Sequence, residues 1–133
     1  PPFLKVMEAL KLYGIAEEEI FSLFPEFEKF KDLKPHALSG GYVRLFEALL
    51  ILKSPSWFSI LDEPFSGLMP LHVEKLKEII IKIKTTKGII ITDHLHRHIR
   101  SVSDHLYVLS SGQTYLVKDM EQLVTLGYLN EVL

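Results

Sequence analysis

Trp57-Phe58-Ser59-Ile60-Leu61-Asp62-Glu63-Pro64 is the stretch on which the reading of this chain turns. Trp57 to Leu61 is a short apolar run of the length of an interior parallel strand, and it ends on two carboxylates. Upstream stands Leu38-Ser39-Gly40-Gly41, a good N-cap serine followed by two glycines at a helix start. Downstream come Ser66-Gly67-Leu68-Met69-Pro70 and then Gly88 to Thr92, a second, β-branched strand that again runs into an acid at Asp93-His94. Between them Pro70 suits the first turn of an amphipathic helix, with Val73, Leu76, Ile80 and Ile83 in one stripe and Glu78 placed to pair with Lys82. Strand, helix, strand in that order implies a parallel crossover. Ligands of open α/β sheets collect beyond the carboxyl ends of the strands, which is where Asp62-Glu63 and Asp93-His94 both fall.

Outward from this centre, Gly40 to Lys53 is apolar on most sides at Leu45, Phe46, Ala48, Leu49, Leu50, Ile51 and Leu52, the pattern of a buried helix, and Ser54-Pro55-Ser56 ends it. Residues from Phe3 to about Asp32 read as two or three short helices, with Phe3, Val6, Met7 and Leu10 spaced for one face and Lys34-Pro35 breaking the run. Phe21, Phe24, Phe27 and Phe30 have near-helical spacing interrupted by Pro25, and read either as packing of a small helical layer or as a groove for a partner. After the second strand, Leu106 to Leu109 and Thr114 to Val117 read as a hairpin joined through Ser110-Ser111-Gly112-Gln113. A last helix from about Met120 to Leu126 stops at Gly127.

The 133 residues suit one domain or part of one, and 47% hydrophobic content can fill a core. A net charge of -2, from 15 basic and 17 acidic residues, offers no basic field for phosphate backbones, so no nucleic-acid partner is expected. With zero cysteines there are no disulfides or thiolate metal sites. Apolar runs such as Ala48 to Leu52 stop far short of the roughly 18 residues that cross a bilayer.

Taken in order, Leu38-Ser39-Gly40-Gly41, Ile60-Leu61-Asp62-Glu63-Pro64, Ser66-Gly67-Leu68 and Ile91-Thr92-Asp93-His94 resemble the second half of an ABC-type ATPase, over about residues 36 to 117. Within that family the closest resemblance is to the branch of the lipopolysaccharide-export and branched-chain amino-acid transporter ATPases. The resemblance implies an α/β fold of the P-loop NTPase (RecA-like) kind, seen in part: a helical subdomain over 1–55 and the C-terminal half of the parallel-sheet core over 56–133. It implies ATP and Mg²⁺ as cofactors, with Asp62 holding Mg²⁺ through water, Glu63 orienting or deprotonating the attacking water, and His94 contacting the γ-phosphate. Ser39, Gly40, Gly41 and Tyr42 correspond to the signature element, which closes over ATP held by a second nucleotide-binding domain. Two glycines in a first helical turn leave N–H groups uncovered, and the helix dipole favours an anion there. The implied partners are that second domain, in a homodimer, and transmembrane permease subunits, with the protein in the cytoplasm on the inner face of the cell membrane.

Three departures accompany the resemblance. Tyr42 stands where glutamine or glutamate is usual, and Met69 where aspartate is usual. The phosphate-cradling P-loop needs G-x-x-x-x-G-K-[ST], and no Gly-Lys pair occurs in these residues; the only glutamines, Gln113 and Gln122, lie far past the signature. With its Pro1-Pro2 start the sequence reads as the C-terminal part of a longer ATPase, inactive alone and prone to self-association. Three other readings stand beside this one. Asp93-His94-Leu95-His96-Arg97-His98 superficially resembles a zinc-hydrolase motif, although a solvated helix start accounts for His96 and His98. A non-hydrolysing regulatory ABC module fits Met69 but not Glu63. A soluble ABC ATPase without a transporter is the third.

Overall fold

The computed structural model describes residues 3–125 and 127. Its first layer is helical: α1 (Val6–Tyr13), α2 (Glu17–Phe21), a 3-10 helix over Pro25–Phe30 and a shorter one over Pro35–Ala37. α1 ends where Gly14 takes the left-handed conformation at φ 68, and its first amides are satisfied by the returning chain, Val6 N–H by Leu33 O and Met7 N–H by Lys31 O. Val6 and Leu10 are buried as expected, but Phe3 is 68% exposed because it precedes the helix and shares no face with them. Of the phenylalanine series, Phe24 and Phe27 pack inward, while Phe21 and Phe30 lie partly exposed against the same core. Phe24 and Phe27 are fully buried and meet edge to face, and Phe27 in turn meets Phe30, Phe46 and Tyr42.

α3 (Gly40–Lys53) starts where Ser39 Oγ accepts the Tyr42 N–H, and it buries Leu45, Phe46, Ala48, Leu49, Leu50 and Leu52. Its C-terminal carbonyls converge on one side chain: Lys87 Nζ donates to Leu52 O at 2.8 Å and Ser54 O at 2.6 Å, which places a cation at the negative end of the helix. Burial lowers the pKa of that ammonium below the ordinary lysine range.

β1 (Phe58–Asp62) pairs in parallel with β2 (Gly88–Thr92), and α4 (Pro70–Ile83) crosses between them, as the order of elements predicts. Ser59 and Leu61 turn to the core, with Ser59 Oγ donating to Ile51 O at 3.0 Å. The other face departs from the expected interior strand: Phe58 is 72% exposed, Ile60 65% and Ile90 56%. Parallel sheets are normally covered on both faces, and among the described residues this one is covered on one. The Phe58 ring lies across Gly88, where an added Cβ would sit 2.4 Å from it, so a larger residue at 88 requires that exposed ring to swing aside.

On α4, Val73, Leu76 and Ile80 are buried, joined by Ile79 and His72, and Ile83 is partly buried. The expected Glu78–Lys82 pair is replaced by Lys77–Glu74 at 2.8 Å, one residue tighter along the helix. α5 (His96–Val102) follows, then the hairpin of β3 (Tyr107–Ser110) and β4 (Gln113–Leu116). Each strand lies one residue nearer the turn than predicted, and the predicted pairing is kept, with Leu109 opposite Thr114 and Val117 N–H donating to Leu106 O at 2.8 Å. Ser111 and Gly112, at φ 50 and φ 77, make a two-residue turn that fixes Ser110 opposite Gln113. α6 (Met120–Thr125) matches the last predicted helix up to Leu126, which lies outside the described residues. One core of buried side chains runs from Val6 through α3, Leu61 and α4 to Val102.

Candidate functional site

The parallel register places Asp62 opposite Thr92, so the two strands deliver their carboxyl ends to the same level. Thr92 Oγ1 donates to Asp62 Oδ1 and fixes that carboxylate, which is otherwise exposed. Glu63 then leaves the strand at φ 47, a left-handed conformation unfavourable for a residue with a Cβ. Its N–H donates to Thr92 O at 2.7 Å, and its carbonyl accepts Ser66 N–H at 3.2 Å and Arg44 Nη1–H at 2.8 Å. The turn brings Glu63 Oε1 within 3.2 Å of His94 Nδ1. Both side chains are half-exposed, and Asp62, Glu63 and His94 therefore share one solvent-facing rim.

Asp93 sits beneath this rim with its carboxylate wholly buried. Oδ1 accepts Leu95 N–H at 2.8 Å and Oδ2 accepts Phe65 N–H at 3.4 Å, so it staples the loop after Glu63 to the start of α5. Sequence reading placed Asp93 at a strand end without this role. The available signal was its position beside His94 in a segment whose amides need acceptors. Arg44 was also missed; a cation on a helix apolar on most sides needs a buried acceptor, and that was its signal.

The first turn of α3 lies against the same loop from the other side. A Cβ added at Gly41 would lie 2.8 Å from Gly67 O, whereas Gly40 has nothing within 4 Å of the corresponding point. Packing therefore accounts for glycine at 41 and not at 40. The Tyr42 ring turns into the helical layer, 5.1 Å from Phe30 and 5.4 Å from His72, and does not join the Asp62–Glu63–His94 rim. Met69 is exposed at the N-cap of α4 and provides no capping side chain.

Among the described residues no three His, Cys, Asp or Glu side chains converge on a metal position. His98 is not solvated as expected: its ring packs 5.3 Å from that of Phe65, and its Nδ1 is buried without a partner. The donor set at the rim still suits Mg²⁺. That ion keeps most of its waters and takes one or two carboxylates, and Asp62 presents one with a single oxygen already held by Thr92.

No family model matches the chain. It is 29% identical over 126 residues to the lipopolysaccharide export system ATP-binding protein of Acidithiobacillus ferridurans, an alignment covering 91% of this chain and 52% of that protein. It is 33% identical over 110 residues to the protein of that name from Haemophilus influenzae, covering 80% of this chain and 46% of that one. The chain thus spans about half the length of these curated relatives. Among solved structures, it superposes on the ATP-binding subunit of an ABC transporter with TM-score 0.74 at 24% identity, covering 95% of this chain and 58% of that one. On a dimeric bacterial ABC transporter cassette the TM-score is 0.67 at 20% identity, covering 90% of this chain and 60% of that one. With the motifs in order along the sequence, the acid-tipped parallel strands at one rim and these relatives, the chain belongs to the ABC-type ATPases.

Proposed function

We propose that these residues form part of the nucleotide-binding domain of an ABC transporter, which binds and hydrolyses ATP to drive transport across a membrane. The observation that carries the reading is the 3.2 Å approach of Glu63 Oε1 to His94 Nδ1 beside Asp62, at the carboxyl ends of two parallel strands. ATP with Mg²⁺ supplies the phosphoryl group and the counter-charge on its oxygens. Asp62, fixed through Oδ1 by Thr92, offers its remaining oxygen to the cation's water shell. Glu63 provides the carboxylate that accepts a proton from water or orients it. His94 Nδ1–H donates to the Glu63 carboxylate, and the Nε2 side of the ring is the part left for contact with a γ-phosphate oxygen.

Ser39, Gly40, Gly41 and the backbone of Tyr42 face the nucleotide of a second domain, while the Tyr42 ring packs inward against Phe30 and His72. Gly40 supports this best, because its open surroundings leave close approach of an outside group as the reason for glycine. Residues 1–55 act as the helical subdomain and 56–133 as the half-core. The partners are a second nucleotide-binding domain and transmembrane permease subunits, and the domain sits in the cytoplasm against the inner face of the membrane. No helix among the described residues is long and apolar enough to cross a membrane itself.

Without a Gly-Lys P-loop, residues 1–133 by themselves do not turn over ATP. Mg²⁺-dependent phosphate release, measured for the full-length gene product and for residues 1–133 alone, tests the proposal. Turnover in the first and none in the second is expected. Turnover by residues 1–133 alone, or its absence in the full-length product, contradicts it.

A further inference from the structure

Two contacts tie the first turns of α3 to the segment around Glu63. Gly41 abuts Gly67 O, and Arg44 Nη1–H donates to the Glu63 carbonyl at 2.8 Å. Glu63 needs such support, since its backbone is held at φ 47. Its other restraints, the 2.7 Å bond to Thr92 O and the 3.2 Å bond from Ser66 N–H, come from the neighbouring strand and from its own turn. Arg44 adds a restraint on that backbone from the helical layer, through α3. A guanidinium on a half-buried carbonyl is a charge-assisted, directional bond, and a rigid helix connects it to Ser39, Gly40 and Gly41 within about one turn.

We infer that Arg44 is a positioning residue for the Glu63 carboxylate, tying the group that handles water in one nucleotide site to the helix whose first turn closes over the other. The inference rests on the ATPase reading above and adds a route by which the two sites of a dimer sense each other. When α3 is seated, Arg44 holds the Glu63 backbone in its left-handed turn and the carboxylate stays beside His94. When α3 is displaced, that restraint is lost and Glu63 relaxes out of the turn. Communication therefore does not need the residue at position 69, where Met69 offers no charge and no hydrogen-bond donor.

The test measures Mg-ATP turnover, KM for ATP and melting temperature in the full-length gene product for Arg44→Ala, Arg44→Lys, Glu63→Gln and the Arg44→Ala/Glu63→Gln double variant. Arg44→Ala is expected to lower kcat roughly tenfold and leave KM within about twofold. Arg44→Lys keeps most of the rate, because an ammonium reaches the same carbonyl. In the Glu63→Gln background, loss of Arg44 costs nothing further, since it acts through the residue already removed. Full kcat in Arg44→Ala, or losses that multiply in the double variant, overturn the inference. Should Arg44→Ala fail to fold, Arg44→Gln carries the same comparison. Wild-type turnover by Glu63→Gln, or no turnover by the unmutated product, overturns instead the ATPase reading beneath it.

Discussion

A methyl group added at Gly41 would lie 2.8 Å from the Gly67 carbonyl oxygen, whereas one added at Gly40 meets no atom within 4 Å. Gly41→Ala therefore forces backbone to move and is expected to cost about 1–3 kcal/mol in thermal or denaturant unfolding. Gly40→Ala is expected to fold at least as well, since alanine is the better helix former by about 0.5–1 kcal/mol, yet to depress ATP turnover in the full-length product. Equal stability losses for the two would contradict the distinction. The sequence presents both glycines as one motif; only the position of Gly67 separates them. That Asp62, Glu63 and His94 come together at one rim was legible because strand ends and acids are written in linear order. Arg44 was not, because the left-handed turn at Glu63 that makes its carbonyl available has no signature in residue type.

Among the elements, α4 could be read directly from the recurrence of Val73, Leu76 and Ile80, since a helix shows its buried face in its period. β1 misled for the opposite reason: a continuous apolar run reads as buried on both faces, and periodicity cannot reveal that Phe58 and Ile60 are open. The closing of α3 by Lys87 was also invisible, as the two lie far apart along the chain. Removing that side chain leaves several carbonyls at the helix end without their donor, so Lys87→Met is expected to cost about 1–3 kcal/mol in chemical unfolding. A loss below about 0.5 kcal/mol would show that water replaces the ammonium there. In the helical layer, Phe27 is fully buried and touches four aromatic neighbours. Phe27→Ala is expected to lose about 3–5 kcal/mol, and a loss near that of a surface substitution would mean that the layer packs otherwise.

Across the described residues one continuous core lies beneath a sheet with one uncovered face, on which Phe58, Ile60 and Ile90 share a side by the parallel register. An apolar face of this kind favours association. Sedimentation of residues 1–133 is expected to show concentration-dependent self-association that Ile60→Lys weakens; a monomer at all concentrations would contradict this. Everything functional in the account converges on Glu63, held in its turn by Thr92 and Arg44 and set beside His94. The most direct measurement is ATP turnover by the full-length gene product carrying Glu63→Gln, with nucleotide binding followed in parallel. A fall of roughly a hundredfold or more in kcat is expected, the scale of losing a positioned proton acceptor, with ATP still bound. Turnover at the unmutated rate would contradict it.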